Sequence, residues 1–516
     1  MNYKSLSKKE LRSWFKDIIK FTPEPFKHQY ASVAFTLGES LKRVFLIHGI
    51  GTGKTLTALF LVQSWNPKKT LIICPNSVIR TWEKELTRQP SVDFIALTGT
   101  KLQREKKFAL ERDFYIINYE GLRTICCTRT KRGRRMRNIL DRTKINKLGF
   151  DAIIIDESHH LRNRTTIQSR ICEGLTKRAR YVILMTGTPI GRDIKDLFSQ
   201  MLVLDNGKTF GRIYHQFKRF YFFKERFRKG WTEKRVCGLC NELYENKVIH
   251  ITKVHKMSWW KYKLLHPVEK TARDLILDTV GESAMRYSRE ECVDLPSLTY
   301  EVREVDPSPS QVRSTIEVVA GLDLNIIQKN IKYHMHKVIQ ITSGFLFDKE
   351  KVVHTFSPNP KLAELQSLID EIDGKFIIYH NYNYEAEMIA KALDKKHIKW
   401  AMLNGTIKDK GAELDKFIGN KDCRALIAHP KSGGEGLDGL QDVSRIIIFY
   451  SNGFIGNILR EQAEGRIHRT GQKKPCVIID LIMKGTIDEI MYHSLKKQEA
   501  VNAKILLYLQ EMQKKP

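Results

Sequence analysis

The stretch Gly49-Ile50-Gly51-Thr52-Gly53-Lys54-Thr55 follows a short apolar run, Val44–His48, and opens onto a helical pattern from Leu56 onward. A strand that breaks into glycines and resumes as a helix is built to hold phosphate. Glycines let backbone N–H groups approach the phosphate oxygens, and the helix N-terminus adds the positive end of its dipole. Gly51, Thr52 and Gly53 then line the anion, Lys54 reaches the β and γ phosphates, and the Thr55 hydroxyl ligates magnesium. His48 stands where the strict form of this loop has a glycine. ATP with magnesium is the ligand this loop predicts.

Working outward, apolar runs of strand length recur at Thr70–Cys74, Phe114–Asn118, Ala152–Asp156 and Tyr181–Thr186, separated by longer amphipathic stretches. The rhythm returns at Phe376–His380, Trp400–Leu403, Ala425–His429, Arg445–Tyr450 and Cys476–Leu481. Strands alternating with helices imply parallel sheets covered on both faces. We therefore expect two α/β domains, 1–204 and 359–516, flanking a mostly helical insertion and linker at 205–358. In the first domain Ala152-Ile153-Ile154-Ile155-Asp156-Glu157-Ser158-His159 brings two carboxylates to the C-terminal end of a buried strand, where open parallel sheets bind ligands. Asp156 is the second magnesium ligand, and Glu157 is placed to orient and deprotonate the attacking water.

With these motifs in order, the chain resembles helicase superfamily two, and within it the Swi/Snf-type double-stranded DNA translocases, whose two domains are RecA-like. Phe26-Lys27-His28-Gln29 resembles the family's adenine-sensing segment, with Gln29 as the base contact. The segment from Leu71 through Pro75, Asn76 and Ser77, with Trp82 after it, is similar to the first nucleic-acid-contacting motif. Asn118 and Tyr119 fall where the family makes another strand contact, and Met185-Thr186-Gly187-Thr188-Pro189 resembles the motif that couples hydrolysis to domain movement. Ser432-Gly433-Gly434-Glu435-Gly436-Leu437-Asp438 resembles the fifth motif, which implies that Ser432 and Gly433 meet nucleic acid and Gly436 and Asp438 the nucleotide; Glu435 departs from the neutral residue more usual there. The sixth motif is matched by the run from Gln462 to Gln472, whose trailing Thr470-Gly471-Gln472 favours the Swi/Snf branch.

In that sixth run Arg466 and Arg469 stand three apart, so both guanidinium forks can present to one side. We expect them, with Gln462 beside them, to act as arginine fingers on a triphosphate held by the other domain, making hydrolysis conditional on closure.

The whole-chain chemistry agrees with a nucleic-acid partner. Of 516 residues, 88 are Lys or Arg against 58 Asp or Glu, a net charge of +30; such a surplus points to a polyanion. No signal-peptide stretch opens the chain and no apolar run has membrane-spanning length, so we expect an intracellular protein of cytoplasm, nucleoid or nucleus, or a viral protein in its host, with no membrane association. Nine cysteines in so long a chain do not read as a disulfide framework. Cys237-Gly238-Leu239-Cys240 with His250 and His255 does have zinc-ligand spacing, and 237–255 is a candidate zinc segment. Phe217–Arg228 interleaves aromatic and basic residues, as a stacking surface or as a helical core with solvated charges. The run Arg129–Arg137, including Arg132, Arg134 and Arg135, reads as a basic loop adding salt-sensitive DNA affinity.

The expected activity is ATP-driven movement along duplex DNA without sequence preference. Two alternatives stand beside it: a strand-separating helicase on DNA or RNA, although no strand-splitting pin is legible, and a DNA-binding scaffold whose ATPase has lapsed.

Overall fold

The computed structural model describes residues 3–15, 24–89, 92–132, 135–141, 143, 148–191, 193–223, 232–233, 235–237, 240, 242–244, 250–256, 271–289, 291–292, 295–320, 335–348, 350–407, 409–433, 439–453, 457–469 and 471–497. The chain forms two compact units, Met1–Val293 and Asp294–Pro516.

In the first unit the strands are β1 (Arg43–His48), β2 (Thr70–Cys74), β3 (Phe94–Ala96), β4 (Phe114–Asn118), β5 (Cys127–Arg132), β6 (Arg135–Leu140), β7 (Ala152–Asp156), β8 (Tyr181–Met185), four two-residue strands β9 to β12 between Phe222 and Tyr244, and β13 (Ala284–Tyr287). Seven of them make one sheet in the order β13-β1-β8-β7-β2-β4-β3, every neighbouring pair parallel. β2, β4 and β7 are buried at every residue, as a parallel sheet covered on both faces requires. The pleat sends alternate side chains to two separate cores: Ile73, Ile153, Ile155 and Leu184 into one, Ile72, Cys74, Ile154 and Ile183 into the other.

The second unit adds β14 (Leu298–Val305), the antiparallel pair β15 (Phe345–Phe347) and β16 (Val353–Thr355), then β17 (Lys375–Tyr379), β18 (Lys399–Leu403), β19 (Cys423–Ala428), β20 (Ser444–Phe449) and β21 (Cys476–Met483). Six of these form a second all-parallel sheet, β14-β21-β20-β17-β19-β18. Two parallel-sheet α/β units are what the apolar rhythm predicted.

Two expectations need correcting. The stretch 205–358 does not stand apart as an insertion: β13 pairs with β1 in the first sheet, and β14 pairs with β21 in the second. Each is a sheet edge. β14, Leu-Thr-Tyr-Glu-Val-Arg-Glu-Val, interleaves charge with apolar residues, so neither edge strand shows the unbroken apolar run by which interior strands announce themselves. The basic run at 129–137 is not a loop either. β5 and β6 pair antiparallel from Cys127↔Leu140 to Arg132↔Arg135, a hairpin whose alternating Thr, Arg and Met lack the apolar face that would mark it in sequence; Arg134 lies outside the described residues. Among the described residues no helix is long and apolar enough to cross a membrane.

Candidate functional site

In the first unit five of the segments expected to carry chemistry leave the C-terminal end of a strand: 49–53 after β1, 75–78 after β2, Asn118 closing β4, Asp156 closing β7, and 186–189 after β8. That edge is where helix N-termini and loop amides converge in an open α/β sheet.

The glycine loop has the conformation its residues imply. Gly51 and Gly53 both sit at φ 78°, a region that side chains resist, and Gly53 starts the helix Lys54–Trp65 without a side-chain cap. A Cβ on Gly53 would come within 2.7 Å of the Gln29 amide nitrogen, and one on Gly49 within 2.8 Å of the Arg289 backbone nitrogen. Lys54 lies along the loop, its Nζ donating to the carbonyls of His48 (3.1 Å) and Gly49 (3.0 Å). Thr52 donates to Gly49 O at 2.8 Å, and Thr55 is half-buried in the first helical turn.

The segment before the loop braces it. His28 Nε2 donates to Thr52 O at 2.8 Å, a carbonyl being able only to accept. Ser32 spends its hydroxyl proton on His28 O, so His48 Nε2 is the donor in its 3.1 Å contact with Ser32 Oγ. Burial pushes both histidines below the usual imidazole range, and His48 is lowered further by His28 and by Lys54. His48 therefore takes the glycine's place as a neutral, buried donor. Gln29, expected at the base, is buried, with its carbonyl accepting from Phe26 N–H (2.8 Å) and its amide donating to Gly53 O (3.0 Å). Those bonds hold the loop.

Asp156 and Glu157 sit in one hydrogen-bonded cluster. Asp156 Oδ2 accepts the Trp82 indole N–H at 3.0 Å and Oδ1 accepts the Glu157 N–H at 2.8 Å. Burial, and then the neighbouring Glu157 charge, push the Asp156 carboxyl up to about 7 against the pull of Lys54 and Trp82. Glu157 moves the other way. Burial alone would raise it, but His159, Lys54 and Thr186 outweigh that and hold it below the usual carboxylate range. Its Oε2 accepts from Thr186 Oγ1 (3.2 Å) and lies 3.0 Å from His159 Nδ1, which also meets Thr186 Oγ1 at 3.2 Å. Thr186 thus joins the 186–189 loop directly to the carboxylate, and a Cβ on Gly187 would come within 3.2 Å of His48 O, so this loop lies against the glycine loop as well.

Of the candidate nucleic-acid contacts, Asn76 is exposed and accepts from Asn118 Nδ2 at 2.9 Å, while Pro75 is buried. Asn118 also caps the helix Tyr119–Cys126, its Oδ1 taking the Gly121 N–H and Arg104 Nη1. Two residues of these segments are turned inward. Trp82 is wholly buried on Asp156, and Tyr119 is buried with its hydroxyl donating to Asp156 O at 2.7 Å. Both face inward because apolar rings with one polar atom satisfy that atom inside the core. The two segments expected at the nucleic acid are thereby bonded to the carboxylate and the carbonyl of one residue, Asp156.

Replacing Trp82 with Phe tests this bond. A donor to the ionised form lowers an acid's pKa, so its loss raises that of Asp156. With Asp156 holding Mg2+ as the sequence predicts, protons would compete with the ion up to a higher pH, and we expect the acid limb of Mg2+-dependent ATP hydrolysis to move up by about one pH unit. Tyr119→Phe, which leaves the carboxylate's bonds intact, should leave that limb in place. An unmoved limb in Trp82→Phe would show that the indole does not tune Asp156.

In the second unit Gln462 is buried on the helix Asn457–Glu464, and Arg466 and Arg469 follow it in half-buried turns closed by His468 N–H to Glu464 O (3.1 Å) and Gln472 N–H to Arg469 O (3.0 Å). Gln472 anchors these turns to the sheet by donating to Gln441 O and Ser444 O. Sequence reasoning missed Arg460, which makes two bonds to Asp480 (2.6 and 2.8 Å), one to Asn452 and one to Glu464, with its guanidinium 3.5 Å from the Phe449 ring centroid. The available signal was Asp480, a lone acid inside the apolar run of β21, which burial obliges to find a cation. Ser432 and Gly433 close the short helix Pro430–Gly433; Gly436 and Asp438 lie outside the described residues. The tip residues Arg132 and Arg135 are paired across the β5–β6 hairpin.

All four candidate zinc ligands converge. Cys237 Sγ is 3.4 Å from His255 Nε2, Cys240 Sγ is 3.4 Å from His250 Nε2, and the four ligand atoms lie within 4.8 Å of one another.

A family model described as the SNF2-related domain matches residues 28–346, and one described as the helicase conserved C-terminal domain matches 360–471. Among curated proteins the chain is similar to the DNA repair and recombination protein RAD54-like of Drosophila willistoni, 26% identical over 89% of this chain and 59% of that protein. It is similar to the CHD3-type chromatin-remodeling factor PICKLE of Arabidopsis thaliana, 25% identical over 88% of this chain and 32% of that one. It is also similar to the uncharacterized ATP-dependent helicase YqhH of Bacillus subtilis, 24% identical over 92% and 77%. The chain thus spans 59% of the length of the RAD54-like relative. Among solved structures, the Sulfolobus solfataricus SWI2/SNF2 ATPase core in complex with dsDNA aligns over 96% of this chain and 95% of that one, with 19% identity and a TM-score of 0.40.

Proposed function

This chain belongs to the SNF2-related family, and on that premise we propose that it is an ATP- and magnesium-dependent motor that tracks duplex DNA without sequence preference. One observation carries the proposal: the glycine loop, the Asp156–Glu157 pair and the Thr186 loop share one sheet edge, and the last two are joined by direct hydrogen bonds. Bound magnesium supplies charge neutralisation between the phosphates. Thr55 and Asp156 hold that ion, Lys54 answers the terminal phosphates, and Glu157, kept ionised, orients the attacking water. Arg466 and Arg469 meet the charge that develops on the transferred phosphoryl group, with Gln462 beside them. Asn76, Asn118, Ser432 and Gly433 meet the nucleic-acid backbone, and Arg132, Arg134 and Arg135 add affinity that salt weakens.

Relatives named for DNA repair and recombination and for chromatin remodelling support DNA as the track. The β5–β6 hairpin favours the alternative of strand separation, since a basic two-stranded tongue is the shape of a wedge. ATP hydrolysis measured with duplex DNA, single strands and RNA decides: strongest stimulation by duplex, with displacement of a roadblock and no release of single strands, is the expected result. Stronger activation by RNA removes the DNA assignment, and loss of unwinding on deleting 129–137 would make the protein a strand-separating helicase.

A further inference from the structure

We infer that Cys237, Cys240, His250 and His255 bind one zinc ion that clasps the stretch 235–255 and ties it to the helix Ala272–Gly281. This is independent of the motor reading: none of the four belongs to the nucleotide site, and the clasp would exist whatever the track.

The geometry fits the ion. With Zn–S near 2.3 Å and Zn–N near 2.0–2.1 Å, a tetrahedral site sets sulfur and nitrogen about 3.6 Å apart. The two Sγ···Nε2 separations are both 3.4 Å. A pair of unrelated thiol–imidazole hydrogen bonds would account for each distance alone. It would not bring both pairs together, yet all four atoms lie within 4.8 Å. Two thiolates and two neutral imidazoles cancel the charge of Zn2+, which lets the metal sit against the fully buried Cys237. Soft sulfur donors select zinc over magnesium or calcium. Protein atoms fill all four positions, so the centre is structural and not catalytic.

The surrounding chain is shaped for this clasp. Cys237 N–H donates to Glu242 O at 2.8 Å, folding the two cysteines into a tight knuckle, and Tyr244 stacks on the His250 ring at 5.6 Å. Among the described residues of this stretch, the regular structure consists of the two-residue strands Arg235–Val236 and Leu243–Tyr244 and the π-helical turn His250–Val254. Segments of this size commonly depend on metal bonds to fold. The strand Arg235–Val236 lies against the helix Ala272–Gly281, which leads into β13 beside β1.

The test is metal analysis of the full chain purified without added metal or chelator, in wild type and in Cys237→Ser, His255→Asn and Glu242→Gln. One zinc per chain is expected in wild type and in Glu242→Gln, whose carboxylate lies 3.7 Å from Cys240 Sγ but is not assigned as a ligand. Near-total loss is expected in the other two. Exchange of wild type into cobalt should give the intense visible bands of a tetrahedral thiolate site, a readout that holds even where a cysteine variant fails to fold. Removing the metal should open 235–255 to protease, whereas Lys54→Ala should keep both metal and protection. Sub-stoichiometric zinc with no tetrahedral cobalt spectrum overturns the assignment, as does equal zinc in wild type and Cys237→Ser.

Discussion

Glu157→Gln is expected to lower ATP turnover by roughly 10²- to 10⁴-fold, the range for loss of a positioned general base, while ATP and DNA still bind. Glutamine keeps the length of the side chain and can accept from Thr186, so the variant isolates the charge from the packing. The backbone argues that this position is functional: Glu157 sits at φ 50° and ψ 51°, a left-handed conformation that costs a non-glycine residue about 1–3 kcal/mol and persists only where its surroundings impose it. Because its carboxyl is held below the ordinary range, Glu157 stays ionised, able to align the water and accept its proton; its effect should fall on kcat with KM little changed. Phosphate release at saturating ATP and duplex, with DNA binding measured in parallel, is the check. Turnover like wild type would remove Glu157 from the chemistry.

Lys54→Ala should be at least as damaging, on the order of 10²- to 10³-fold in turnover from the lost charge on the phosphates alone. A second effect compounds it. The Lys54 ammonium is one of the groups pulling the Asp156 carboxyl down, so its removal drives that carboxyl still higher and weakens its hold on Mg2+ at neutral pH. The signature is therefore a Mg2+ requirement that grows as pH falls, on top of the loss of activity. Duplex binding without nucleotide should persist. If the variant turned over ATP normally, the loop at 49–55 would not be the phosphate site.

The parts of the site that were legible in the sequence share one property, that their chemistry depends on residues close together in the chain. The glycine loop, the Asp156–Glu157 step and the 186–189 turn are each read from fewer than eight residues with an apolar strand in front. The convergence of Cys237, Cys240, His250 and His255 was legible for a similar reason, since all four fall within a short stretch of chain. What could not be read was pairing over distance. Trp82 and Tyr119 sit near surface-facing motifs in sequence, and only folding turns their polar atoms onto Asp156. β13 and β14 are edge strands without an apolar signature. Arg460 looks like any helix-face arginine until Asp480, twenty residues on, is found inside the sheet.

The contact of Gly49 with the Arg289 backbone carries a practical lesson for dissecting the molecule. Excising the motif-bearing portion as a small nucleotide cassette, ended at Asp205 where the apolar rhythm stops, would keep every signature from Gln29 to Pro189. It would also discard Tyr287, whose carbonyl receives the Gly49 N–H at 2.9 Å, and Arg289, which bonds Ile50 O. One wall of the cradle is thus encoded more than 200 residues downstream of the cradle itself, and the shortest piece that can assemble it has to run past Arg289.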